Sequence, residues 1–287
     1  MIASSPSVLL DGLGFPECPR WHQGKLWFSD MARREVFTVD AKGRSAVIAS
    51  IVRPAGLGFL PDGRLLVASE ADPFLRRLDP DGLHTVADVS PLGNVVLNDM
   101  VVDSEGRAYI GDDAFDLAAG MPPRPGRLIL VTPQGEARVV AEDLKYPNGM
   151  VITPDGRTLI VAETMGRCLT AFDIAPDGSL TGRRLFADLG SGGIGGALPD
   201  GICLDAEGAV WVASPATSEF VRVTEGGAIS QQIPVPGKWA VACMLGEEDR
   251  RTLFLCTART TPKDLAEGKS AGWIETIRVD VPGAGLP

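Results

Sequence analysis

Three observations predict an all-β chain, a six-bladed β-propeller with four-stranded blades and a central metal site. A glycine turn followed by a short apolar strand recurs six times, further strand-like runs fill each interval, and oxygen-bearing side chains stand at one fixed distance before several of the turns. The copies are HQGKLWFSD at 22, LPDGRLLVAS at 60, DSEGRAYIGD at 103, TPDGRTLIVAE at 153, DAEGAVWVAS at 205 and GEEDRRTLFLCTA at 246. With Gly24, Gly63, Gly106, Gly156, Gly208 and Arg250 as equivalents, the intervals are 39, 43, 50, 52 and 42 residues. Several short strands per unit of that length mark a propeller blade.

Each unit reads as an inner strand running to the turn, a second strand returning, and two outer strands. RLILVTP with ARVVAED, and CLTAFDI with GRRLFAD, are such outer pairs. A helical reading fails because no segment sustains apolar residues at 3.6 spacing, and the β-branched runs are bounded by Gly, Pro and Asp. A β-sandwich is the alternative, but its strands would not repeat with matching turns. The opening SVLLDGL (7–13) and the closing WIETIRVDV (273–281) lie outside the six copies. They are expected to complete the ring-closing blade and remove exposed edges. Residues 1–287 are read as one propeller domain.

Composition narrows the function. The 287 residues are 45% hydrophobic and carry a formal net charge of -10, which argues against a nucleic-acid binder that must neutralise phosphates. The five cysteines lack a CxxC pair and sit in apolar runs, so they are expected to be buried thiols. MIASSPSVLL lacks the basic and apolar regions of a secretory signal, and no apolar run approaches the ~20 residues of a membrane helix. A cytoplasmic monomer or small homo-oligomer acting on a small molecule, without nucleic acid or membrane, is the expectation.

The register of the repeat picks out the site. Eight residues before Gly106, Gly156 and Gly208 stand Asn98, Asn148 and Asp200, and seven before Gly24 stands Glu17. The remaining units offer Ala55 and the run Trp239, Ala240, Val241. Asn-Gly and Asp-Gly are ordinarily turns, yet here the turn lies eight residues further on. Glu17, Asn98, Asn148 and Asp200 therefore belong at the channel end of four inner strands. No Lys or Arg occupies that level, so a cation of another kind is expected to balance the carboxylates. Hard oxygen ligands without His or Cys suit Ca²⁺, Mg²⁺ or Mn²⁺, with Zn²⁺ ranked lower. Asp30, Glu70, Asp112 and Glu163, at the ends of the returning strands, are expected to be solvated rim residues. The segment 112–126 is a long connection suited to covering the mouth, and 190–199 reads as a flexible loop, without the Lys of a phosphate loop.

Catalysis must come from the metal and carboxylates. His22 lies by a repeat turn opposite the site, His84 reads as part of an outer strand, and no GxSxG elbow is present. Hydrolysis of an activated carbonyl suits that inventory, with Asp200 as the candidate base.

The motifs FPECPRW, LNDMVVD, YPNGMVI and PDGICLDAEG, with the closing IRVDVPGAGLP, resemble the senescence-marker-protein/gluconolactonase/regucalcin family of six-bladed propellers over nearly the whole chain. The resemblance implies a divalent-metal-dependent lactonase, a gluconolactonase-like carboxylic ester hydrolase. Glu17, Asn148 and Asp200 would bind one ion, Ca²⁺ ranked first. Asp200 would also serve as general base, or as nucleophile as in related organophosphate-hydrolysing propellers. Asn98 would touch substrate or a bound water, or join the metal, and Asp116 would take a lid position facing the substrate. The alternatives are a phosphotriester or other ester hydrolase at the same site and a non-enzymatic Ca²⁺-binding propeller. Sugar lactonases of the family often carry an Arg where this chain has Val96, which favours a less polar substrate.

Overall fold

Six four-stranded antiparallel sheets stand around one channel in a computed structural model that describes residues 5–115, 120–190 and 196–285. The innermost strands are Pro16–His22, Pro54–Phe59, Leu97–Val102, Pro147–Ile152, Ile202–Leu204 and Trp239–Gly246, and we number the blades 1 to 6 in that order. Each inner strand packs against those of the two neighbouring blades, and blade 6 meets blade 1. In blade 6 the inner strand is followed by Thr252–Arg259 and Ala271–Arg278, and the chain's first strand, Ser7–Leu13, adds to its outer edge. Both terminal runs thus meet in one sheet, paired from Ser7 to Thr276 through Leu13 to Gly272.

All six repeat turns adopt the left-handed conformation that the sequence register requires. Gly24, Gly63, Gly106, Gly156 and Gly208 have φ between 70° and 85°, and Arg250 takes the same role at 54°. The turn aspartates complete the motif: Asp205 accepts from the Glu207 and Ala209 amides at 2.9 and 3.0 Å. Such a side chain satisfies a turn backbone and fixes its path.

Gly201 and Gly149 lack the positive φ, and a side chain there would strike a neighbouring blade. A Cβ on Gly201 would lie 2.3 Å from the Cβ of Ala242 in blade 6, and one on Gly149 would lie 2.5 Å from the Ile202 amide in blade 5. The Asn-Gly and Asp-Gly pairs therefore mark close blade contacts, as the register implies. Away from the channel the blades are joined by apolar packing, with Trp21 stacked on Phe254 at 5.1 Å and Trp27 edge-on to Phe59 at 5.3 Å.

A five-residue helix, Pro262–Ala266, was outside the sequence expectation. Thr261 caps it by accepting the Asp264 amide, and Pro262 opens it, so TTPKD holds an ordinary helix start too short for periodicity to reveal. Among the described residues no helix is long and apolar enough to cross a membrane. The five cysteines are free, and four are buried.

Candidate active site

Glu17, Asn98 and Asn148 are each the second residue of an inner strand, and Asp200 precedes Ile202–Leu204 by two. A register shift lies at each of the three strand residues: it follows Glu17, up to Arg20, and it spans Asn98 between Leu97 and Met100 and Asn148 between Pro147 and Met150. Cys18, inside the first of these bulges, has φ 48°. A bulge bends its strand and re-aims the side chains beside it, and this one recurs at the same level in neighbouring blades. Asp200 is held differently. Its amide donates to Ala213 at 2.9 Å, its carbonyl accepts from Gly149 of blade 4 at 3.3 Å, and the next amide donates to Val241 of blade 6 at 2.9 Å. Three blades grip two residues.

The carboxylates at the ends of the second strands are not solvated, which corrects the expectation for Asp30, Asp112 and Glu163. All three are buried. Asp30 accepts from the amides of Gly14, Phe15 and Arg33 at 2.7, 2.9 and 3.0 Å. Asp112 accepts from the Val96 and Ala114 amides, both at 2.9 Å, and from Arg127. Glu163 accepts from the Lys145 amide at 2.7 Å, from Thr170 and from Arg183. Each clamps the segment entering its own inner strand, and so fixes the residues that follow. Glu70 is partly buried and paired with Arg53.

A cation does stand in the channel, below the level where the sequence suggested none. Arg20, three residues after Glu17, is buried and donates to Asp99 at 2.8 Å and to the carbonyls of Met100 and Pro19. This ion pair engages Arg20 with Asp99 and leaves Glu17 and Asp200 without a cationic partner among the described residues.

Electrostatics gather the mouth residues into one group. Burial lifts the Glu17 carboxyl well above its ordinary value, with Glu70, Asp200, Asp99 and Asp30 adding repulsion. Glu17 Oε1 has no hydrogen-bond partner among the described residues. Asp200 is pushed up to about 8, by burial first and by Asp99 and Glu70, while the Asn148 amide pulls it down. The Asn148 Nδ2 also donates to Thr164 Oγ1 at 3.3 Å. Asp113 was missed by sequence reasoning. It is raised well above the carboxylate range by burial and by Glu70, and interacts with Tyr146 and Asn98. The Tyr146 hydroxyl is raised by burial, Asp113 and Glu70. The run of two acids at 112–113 and the Tyr two before Asn148 were the available signals.

The donor set fits a hard divalent cation: two carboxylates in a desolvated mouth, one with an unpartnered oxygen, beside two side-chain amides. Glu17, Asn148 and Asp200 could hold it, with Asn98 alongside. Asp116 and residues 191–195 of the segment 190–199 lie outside the described residues. His22 sits at the turn end of its strand, stacked 3.8 Å from Phe59, and His84 lies on the outermost strand of blade 2, as expected. Asp79, Asp81 and His84 cluster there, but Asp79 is already held by Arg64 and Arg77.

The architecture is that of a six-bladed propeller, and comparison with known proteins gives its family. The family model described as SMP-30/Gluconolactonase/LRE-like region matches residues 15–259, and the chain belongs to that family. It is 27% identical to 6-deoxy-6-sulfogluconolactonase of Pseudomonas putida, covering 100% of this chain and 96% of that one. It is likewise 27% identical to pentonolactonase XacC of Haloferax volcanii, over 94% of this chain and 92% of that one. The solved structure of regucalcin from Agrobacterium tumefaciens, described as a calcium-binding protein, superposes with a TM-score of 0.76 at 25% identity, covering 99% and 98% of the two chains.

Proposed function

We propose that this chain is a divalent-metal-dependent hydrolase that opens lactones at the channel mouth, with Glu17, Asn148 and Asp200 holding the ion. The observation that carries the reading is the pair of carboxylates, Glu17 and Asp200, held in a desolvated mouth with no cationic side chain to balance them among the described residues. Lactonases among the relatives support the reaction class, and the calcium-binding description of the regucalcin structure supports Ca²⁺ as the first ion to test.

An ion held by Glu17, Asn148 and Asp200 would supply Lewis-acid polarisation of a carbonyl and stabilisation of the charge that develops on its oxygen. Asp200 accepts the proton of the attacking water, and its backbone, held from blades 4 and 6, keeps the carboxylate in place during that transfer. Asn148 bridges Asp200 and Thr164, so it orients the base as well as offering an amide oxygen. Asn98 faces the substrate from blade 3. The ring-opening product is a hydroxy acid, whose carboxylate meets an acidic mouth and is driven out.

A panel of γ- and δ-lactones, an aryl ester and a phosphotriester tests this directly. The chain is expected to hydrolyse lactones, and Asp200→Asn is expected to lower kcat by about 10³-fold while the thermal transition remains cooperative. Lactone turnover at the unaltered rate in Asp200→Asn removes the base from the mechanism. Turnover of the phosphotriester alone reassigns the reaction.

A further inference from the structure

The lining of one crevice reverses the charge balance of the molecule. The chain carries 37 acidic and 27 basic side chains, yet a cavity of about 270 Å³ is walled by Lys145, Arg183 and Arg184 against a single carboxylate, Glu163. It lies where blades 3 and 4 meet. Lys145 belongs to the link between Ala137–Leu144, the outer strand of blade 3, and Pro147–Ile152. Arg183 and Arg184 stand on Leu180–Asp188, the outer strand of blade 4. The cavity shares no lining residue with Glu17, Asn98, Asn148 and Asp200.

The wall is held in place before any ligand arrives. Glu163 is buried and both its oxygens are engaged. Oε1 accepts from Thr170 Oγ1 at 2.6 Å and from Arg183 at 3.0 Å, and Oε2 accepts from the Lys145 amide at 2.7 Å. The Arg183 guanidinium also donates to the Glu142 and Asp143 carbonyls at 3.1 and 3.2 Å, and lies 5.8 Å over the Phe172 ring. These contacts use three of its five N–H groups and fix the direction of the others. Arg184 is steadied by Asp173 at 2.7 Å. Lys145 Nζ has no partner among the described residues. Burial and Glu163 lift the Cys168 thiol above its ordinary value, so this lining sulfur adds no negative charge.

We propose that this crevice binds a small oxyanion, the phosphate, sulfonate or carboxylate group of a metabolite-sized molecule. A fixed guanidinium presents N–H groups in a plane that suits such oxygens, and the lysine adds a compact charge on a flexible stem. With the Glu163 carboxylate engaged on both sides, the uncompensated charge facing the cavity is positive, which refuses a metal ion. The volume lies just below the ~300–1,000 Å³ usual for small-molecule sites, so the ligand is small. A nucleic acid would need a basic stripe, and this is one crevice in a chain of net charge -10. The proposal does not rest on the lactonase reading, and its test reads no turnover.

The probes are inorganic phosphate, sulfate and citrate, each titrated calorimetrically into the full chain without added metal. Potassium chloride of matched ionic strength is the control. At least one of the three is expected to bind at one per chain, and the tightest names the group the site prefers. Lys145→Gln combined with Arg184→Gln, which leaves the Glu163 clamp intact, is expected to weaken that binding by about 10-fold or more. Where the double variant does not fold, Lys145→Gln alone is expected to weaken it in the same direction. Cys168 gives a second readout, because the other four cysteines are buried. The bound oxyanion is expected to slow alkylation of Cys168 by a maleimide in wild type. Binding of none of the three overturns the proposal, as does an unaltered affinity in the variants. Equal alkylation rates with and without the oxyanion place the ligand elsewhere and overturn it as well.

Discussion

Asp200 and Glu207 are each followed by glycine and lie in one short segment, yet the fold uses the two pairs in opposite ways. Glu207-Gly208 is the turn, with Gly208 at φ 79°. Asp200-Gly201 lacks the positive φ of a turn glycine; its glycine admits blade 6, and its aspartate is desolvated beside Glu17 and Asn148. Burial has a consequence for pH. The Asp200 carboxyl titrates at about 8 in the fold, against an ordinary 3.8. Between those values the native chain keeps a proton that the unfolded chain has released, so metal-free stability falls as pH rises through the window. A bound ion displaces that proton. The rise in Tm on adding Ca²⁺ or Mn²⁺ is therefore expected to grow from about pH 5 to about pH 8, and to grow less in Asp200→Asn. A pH-independent rise would show that Asp200 is not among the ligands.

At the scale of elements, the site depends on the contacts between inner strands. Gly201→Ala places a Cβ 2.3 Å from Ala242, and such overpacking costs roughly 1–3 kcal/mol, about 2–4 °C of Tm per kcal/mol in a chain of this size. Because the Asp200 backbone must move with it, kcat/KM is expected to fall as well. Gly208→Ala has open space and only an unfavourable φ to bear, so it is expected to lower Tm by less and leave the metal affinity unaltered. Thermal unfolding of the two variants with an ion titration checks both, and equal effects would mean that the blade contact does not position Asp200. The inner strands, their turns and their polar second residues were legible because a repeat supplies its own alignment: six copies expose what one Asp-Gly hides. The bulges were not legible, since FPECPRW carries no mark of a left-handed Cys18. Nor were the corner carboxylates: an acid at a strand end reads the same whether water or two backbone amides receive it. Arg20 and Asp113 depend on contacts between blades, which no local pattern encodes.

For the molecule as a whole, closure of the ring brings the four chosen residues together from blades whose inner strands are far apart in sequence. Ser7–Leu13 on Ala271–Arg278 shuts the last blade, and SVLLDGL and WIETIRVDV foretold that pairing because each lacked a unit of its own. The short helix escaped notice for want of length; it joins the second and third strands of the last blade. What closure creates is a concentration of acid in a chain already carrying a net charge of -10, with Arg20 spent on Asp99 and Arg53 on Glu70. A divalent ion would relieve the repulsion between Glu17 and Asp200 and prepare the mouth for a carbonyl. The most direct measurement is lactone hydrolysis by the exhaustively chelated chain during stepwise return of Ca²⁺ or Mn²⁺, with binding followed by calorimetry. The account predicts negligible hydrolysis without the ion and recovery that saturates at one ion per chain; full hydrolysis by the metal-free chain would contradict it.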